Sequence, residues 1–295
     1  MTKLFLSSVL LILSLILPIW MFSEFHQPFV ENFDSRTLEN FTYVSRGSDA
    51  DFKWTSGTTS QKEKSTSVLS FKLDPKDPAG PGRGPEISSN KQVHFGHFAA
   101  RLKVPDATFR QPNIGAVVGY FTYTNDSELG LSEIDFEWLL ADPQVIYLGT
   151  WTGKSGNLKR VGRTINLAQG LIYANEYRED ANGIREDLTR EQHQPLMIET
   201  IPDFDASKDF HTYGFDWYPD RIRWWMIHPH KGDTLVLWDY QGKRGIPQHP
   251  SKYLMNFWHT DNWAVETNPK SLEKSKHRFE LEVDWMSYEP LKTNL

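Results

Sequence analysis

The chain has 295 residues, a formal net charge of −6 and no cysteine. That length suits one large all-β domain or two small ones. The negative balance excludes nucleic acid as the partner, which would call for a basic stripe, and the absence of thiols excludes disulfides and a lipidated cysteine; a core of this size does not need staples.

Residues 1–23 read as a signal peptide or N-terminal anchor. Lys3 supplies the positive end, and residues 4–20 supply the apolar run. About 17 residues is short for a spanning helix, and Met21 and Ser23 frame no clean cleavage pattern. The expectation is a secreted, periplasmic or cell-surface protein, with membrane contact only through this segment if it stays uncleaved.

Residues 24–295 read as a single domain. Strand-like runs recur at 67–74, 94–104, 115–124, 132–140, 144–153, 210–219, 221–228, 233–240, 251–259 and 277–289. They alternate apolar and polar residues between Gly, Pro, Asn and Asp clusters. This predicts an all-β fold, an antiparallel sandwich or jelly roll. Two stretches break the pattern. Residues 74–90 are a Pro/Gly-rich loop. Residues 177–194 are charged and predict a short surface helix or a long loop, bordering a cleft or simply solvated. His228 and His230 fall in a hairpin turn, and the ten histidines show no ligand spacing.

Within 132–138, Glu133, Asp135 and Glu137 alternate with Ile134, Phe136 and Trp138. On a strand this puts three carboxylates on one face and three apolar side chains on the other. Like charges on one face repel. Glycoside hydrolysis needs such a set: one carboxylate as nucleophile or base, and one acid to protonate the leaving oxygen. A third acid between them tunes both. An acidic solvent-facing strand is the other reading, and the triplet alone leaves both open. Trp151, Trp258 and Trp263 sit in polar, turn-rich contexts that suit sugar-stacking platforms, although Trp also fills sandwich cores.

Four matches, in order along the chain, are residues 133–137, 204–225, 253–264 and 283–285. With 95–105 and 119–124, they make the chain resemble glycoside hydrolase family 16, which includes lichenases and xyloglucan endotransglycosylase/hydrolases. The resemblance implies a β-jelly roll of two curved antiparallel sheets with the cleft on the concave one. It implies a retaining mechanism, with Glu133 as nucleophile, Glu137 as acid/base and Asp135 as helper. It also implies sugar contacts by Arg101, Tyr123, Trp151, Asn256, Trp258 and Trp263. No cofactor is implied for catalysis. A structural calcium ion is, held by Asp284 and backbone carbonyls near residues 31–34. Ala99 stands where the lichenase pattern has Glu, which in that strand looks more like the xyloglucan group. The uninterrupted trio points away from the laminarinase-like and agarase-like branches. The expected activity is endo-hydrolysis of β-linked glucan by a monomer, with β-1,3-1,4-glucan favoured and polysaccharide as the partner. The alternatives are a xyloglucan endotransglycosylase/hydrolase and, from another class, a non-catalytic lectin-like jelly roll. The intact trio counts against the lectin.

Overall fold

The computed structural model describes residues 27–44, 52–56, 67–190, 197–242 and 244–292. The predicted signal or anchor segment lies outside them. All ten predicted runs fall on strands, because their period-2 alternation gives each strand one face to bury between two sheets. One sheet orders β12 (Ile184–Asp187), β11 (Leu171–Glu179), β10 (Lys159–Asn166), β9 (Val145–Gly153), β8 (Gly130–Leu139), β7 (Ala116–Asp126), β16 (Lys252–His259), β5 (Glu86–Ser89) and β2 (Phe41–Tyr43). The opposite sheet orders β15 (Thr234–Tyr240), β14 (Ile222–Ile227), β13 (His211–Trp217), β6 (Gly96–Lys103), β17 (Phe279–Pro290), β4 (Ser67–Leu73) and β3 (Phe52–Ser56), with β1 (Phe29–Glu31) pairing along β17. Among the described residues the paired strands run antiparallel, as a jelly roll requires.

The core between the sheets is aromatic. Phe98 stacks on Phe215 with centroids 4.7 Å apart, and Phe136 on Trp138 at 4.9 Å. Some of its polar atoms pair across the gap: Tyr253 Oη donates to Tyr120 Oη at 2.9 Å. One such bond holds the strand that carries the trio. The Trp224 indole N–H, from the opposite sheet, donates to the Asp135 carbonyl at 3.0 Å.

The charged stretch from 177 is mostly strand over its described part, with two single-turn 3-10 segments at Asp180–Asn182 and Leu188–Arg190. It continues β11, turns through a 3-10 segment at Asp180–Asn182, and returns as β12. The strand pairing went unforeseen because polar residues occupy both faces there. Residues 191–194 lie outside the described residues. The predicted loop 74–90 ends in the short strand β5, which pairs with both β16 and β2. His228 does shape a turn: its Nδ1 accepts the backbone N–H of His230 and of Lys231.

Candidate active site

On β8, Ile134, Phe136 and Trp138 are fully buried between the sheets, so Glu133, Asp135 and Glu137 share the other face. They lie in a cleft of about 640 Å³. Each acid heads a row across neighbouring strands. Glu133 pairs with Tyr123 and Trp151, Asp135 with Phe121 and Gly149, and Glu137 with Gly119 and Tyr147. The glycines make room. A Cβ on Gly119 would lie 2.5 Å from Asn256 Oδ1, so its absence lets that amide lie beside the Glu137 row.

Burial raises the proton affinity of all three acids. Glu133 is pushed up to about 8, first by burial and then by the charge of Glu137. Glu137 is pushed up to about 7 by burial. Asp135 is raised well above the usual carboxylate range by burial, then by its two neighbours. Arg160 is the cation that opposes these rises at all three. The Asp135–Glu133 hydrogen bond splits the pair: it lowers Glu133 and raises Asp135. A protonated Asp135 therefore donates to an ionised Glu133. The trio titrates as one unit, and the placement of the proton along the Asp135–Glu133 bond decides which form reacts.

The predicted sugar contacts divide. Tyr123, Trp151, Asn256, Trp258 and Trp263 all line the cleft. Tyr123 is 38% exposed. Trp263 meets Tyr147 edge-to-face at 4.8 Å, and Tyr147 donates to Glu266. Trp258 is only 7% exposed, packed with Val117, Leu139, Val145, Tyr147 and Val265 in an apolar cluster on the cleft side of the sheet. It is a wall more than an open platform.

Arg101 is not in the cleft. It lies on β6 in the opposite sheet, where its Nη1 donates to Asp284 Oδ2 at 2.5 Å and its guanidinium covers the Phe210 ring. The same pair bears on the calcium expectation. Asp284 is the extra residue of a bulge in β17, between Val283 and Trp285. The bulge lets Val283 and Met286 both reach the core and aims Asp284 at Arg101. A calcium ion on Asp284 would meet that guanidinium at contact distance, so the residues present do not fit one. Among the described residues, no group of three or more His, Cys, Asp or Glu is arranged to hold a metal ion.

Glu86 is the cleft residue that the sequence reading missed. It comes from the predicted loop and sits across β16 and β7 from Glu137, in the row Glu86–Asn256–Gly119–Glu137. Asn256 Nδ2 donates to Glu86 Oε2 at 3.2 Å. Burial raises Glu86, and that bond opposes the rise. The buried Asn256 Oδ1 has no protein partner, which leaves an acceptor for a hydroxyl group. The only signal in the sequence was a four-residue alternation behind four prolines.

The chain is 29% identical over 266 residues to a β-glucanase of Acetivibrio thermocellus, covering 87% of this chain and 63% of that protein. It is 26% identical over 170 residues to a β-glucanase of Bacillus licheniformis, covering 56% of this chain and 51% of that protein. It thus spans less than two thirds of the length of these relatives. Among solved structures, a β-1,3-1,4-glucanase (lichenase) derived from a mouse hindgut metagenome superposes with a TM-score of 0.54 at 19% identity, over 90% of this chain and all of that one. A Bacillus licheniformis β-glucanase gives 0.52 at 19% identity, over 89% and 97%. These likenesses support the sandwich fold. The family described as glycosyl hydrolases family 16 matches residues 47–287. The chain belongs to glycosyl hydrolases family 16.

Proposed function

We propose that this chain is an endo-acting, retaining glycoside hydrolase of β-linked glucan, with β-1,3-1,4-glucan as the favoured substrate. The observation that carries the reading is the carboxylate trio on β8, with Asp135 buried between the half-buried Glu133 and Glu137, facing a cleft lined by aromatic side chains. The ionised Glu133 attacks the anomeric carbon while Glu137 protonates the departing glycosidic oxygen. This leaves a glycosyl ester on Glu133 and a free chain end. Glu137, now a carboxylate, takes a proton from water, which displaces Glu133 and returns the original configuration. Asp135 supports the first step by donating to the Glu133 carboxylate, and its own raised proton affinity keeps that proton in place. Tyr123, Trp151 and Trp263 offer ring faces to the sugars, and Glu86 with Asn256 offers hydrogen bonds.

Curated relatives named β-glucanase support the glucan reading. The xyloglucan alternative draws no support from the cleft, since Ala99, the residue that suggested it, lies on β6 in the opposite sheet. The N-terminal segment supports export. Reducing-sugar release from lichenan, laminarin, xyloglucan and agarose tests the reading. Lichenan is expected to be cleaved fastest, with oligosaccharides as early products. No release from lichenan or laminarin would overturn it.

A further inference from the structure

The row that contains Glu133 does not end at Trp151. Across β10, β11 and β12 it continues as Arg160, Arg178 and Arg185. Cross-strand partners share a face, so this row stands on the same side of the sheet as the trio. The order Tyr123–Glu133–Trp151–Arg160–Arg178–Arg185 therefore leads past the reacting acid to three guanidinium groups. At about 4.8 Å between strands, Arg160 lies about 10 Å and Arg178 about 14 Å along the sheet from Glu133.

This row is built in an unusual way. Like charges directly opposite each other destabilise a sheet, yet Arg160 and Arg178 are cross-strand neighbours. Both crowd one ring: their guanidinium carbons lie 5.4 Å and 5.6 Å from the Trp151 centroid. Acidic partners are too few. Glu176 serves two arginines, with Arg185 Nε at 2.6 Å and Arg178 Nε at 3.3 Å. The Arg178 contact makes no hydrogen bond and leaves that buried N–H unpaired. Arg160 has no carboxylate ion-pair partner among the described residues.

We propose that Trp151, Arg160 and Arg178 form a subsite for an anionic substituent on the glucan chain, a carboxylate or a sulfate or phosphate ester. The sugar ring lies against Trp151 and its substituent accepts from the paired guanidinium groups, which favour planar, bidentate oxyanions. An anion there relieves the Arg160–Arg178 repulsion and supplies the acceptor that Arg178 Nε lacks. A neutral glucan does neither, and must share Trp151 with two cations. The subsite rests on the glucan-hydrolase reading and narrows its substrate class.

The test compares kcat/KM on neutral, carboxymethylated and sulfated lichenan, for the wild type and for Arg160→Met/Arg178→Met with its fold checked by circular dichroism. The wild type should prefer at least one anionic polymer, and added salt should erode that preference. The polymer preferred identifies the substituent. The double variant should lose the preference roughly tenfold or more, as expected for two charge-assisted contacts. An anionic-to-neutral ratio that is the same in both proteins, or a wild-type ratio below one at low salt, overturns the subsite. If the double variant does not fold, Arg178→Gln and the wild-type salt dependence decide by the same criteria. Should the wild type cleave none of the polymers, the hydrolase reading fails by itself. Retardation of Glu133→Gln in carboxymethyl-lichenan gels, lost on adding the two Arg substitutions, then still tests the subsite.

Discussion

Replacing Glu133 with Gln should make the folded protein more stable, and only above the ordinary carboxylate range. In the fold Glu133 is raised from 4.5 to about 8. Between those pH values the folded chain holds a proton that the unfolded chain has released. Stability therefore falls as pH rises through this window and is fully retained below about 4.5. The full rise corresponds to about 5 kcal/mol at about 1.36 kcal/mol per pH unit. Part of it is repulsion from Glu137 and is not additive with the rise of that residue. The open cleft admits water, which lowers it further. About 2 kcal/mol at pH 8 is the expected gain, or about 4–8 °C in Tm for a domain of this size. A neutral amide keeps the shape and can still accept from Asp135. Thermal melts by circular dichroism at pH 5 and pH 8 make the comparison. The reasoning is refuted if the variant is no more stable than the wild type at pH 8, or if the gain is the same at both pH values.

Other outcomes follow from the same geometry. Glu137→Ala should lose far less activity on aryl glycosides with good leaving groups than on lichenan, and azide should partly restore it, giving a β-glycosyl azide; equal loss on both substrates would remove Glu137 from the acid/base role. Arg101→Met should lower stability by about 3–5 kcal/mol, since it strands the buried Asp284 charge, whereas a chelator should leave the wild-type Tm unchanged; a fall with chelator that calcium reverses would restore the metal. Trp258→Ala should cost about 3–5 kcal/mol of stability because the side chain is packed in a cluster; weaker lichenan binding at unchanged Tm would make it a platform instead.

The legible parts of this fold were those where one strand face is apolar. β8 announced itself because Ile134, Phe136 and Trp138 alternate with the acids. The bulge in β17 also leaves a trace: the apolar phase runs through Leu281 and Val283, then shifts to Met286 and Tyr288. β10 and β11 gave no such signal. Their cleft face carries Arg160, Glu176 and Arg178, and their inner face includes the buried Arg163 and Asn175, so neither face reads as greasy. Arg101 shows a different limit. Alternation tells which side of a strand a residue occupies, not which sheet the strand joins, and an arginine on the outer face of β6 looks the same as one in the cleft. Glu86 was hidden because a four-residue strand behind Pro81 and Pro85 is too short for periodicity to register.

The claim on which the rest depends is that Glu133 forms the covalent glycosyl intermediate. A 2-deoxy-2-fluoro-β-glucosyl oligosaccharide with a good leaving group should inactivate the wild type with a 1:1 increase in mass. Peptide mapping should place that mass on Glu133. A label on any other residue, or slow turnover that yields an α-configured first product without any labelled enzyme, would contradict the account.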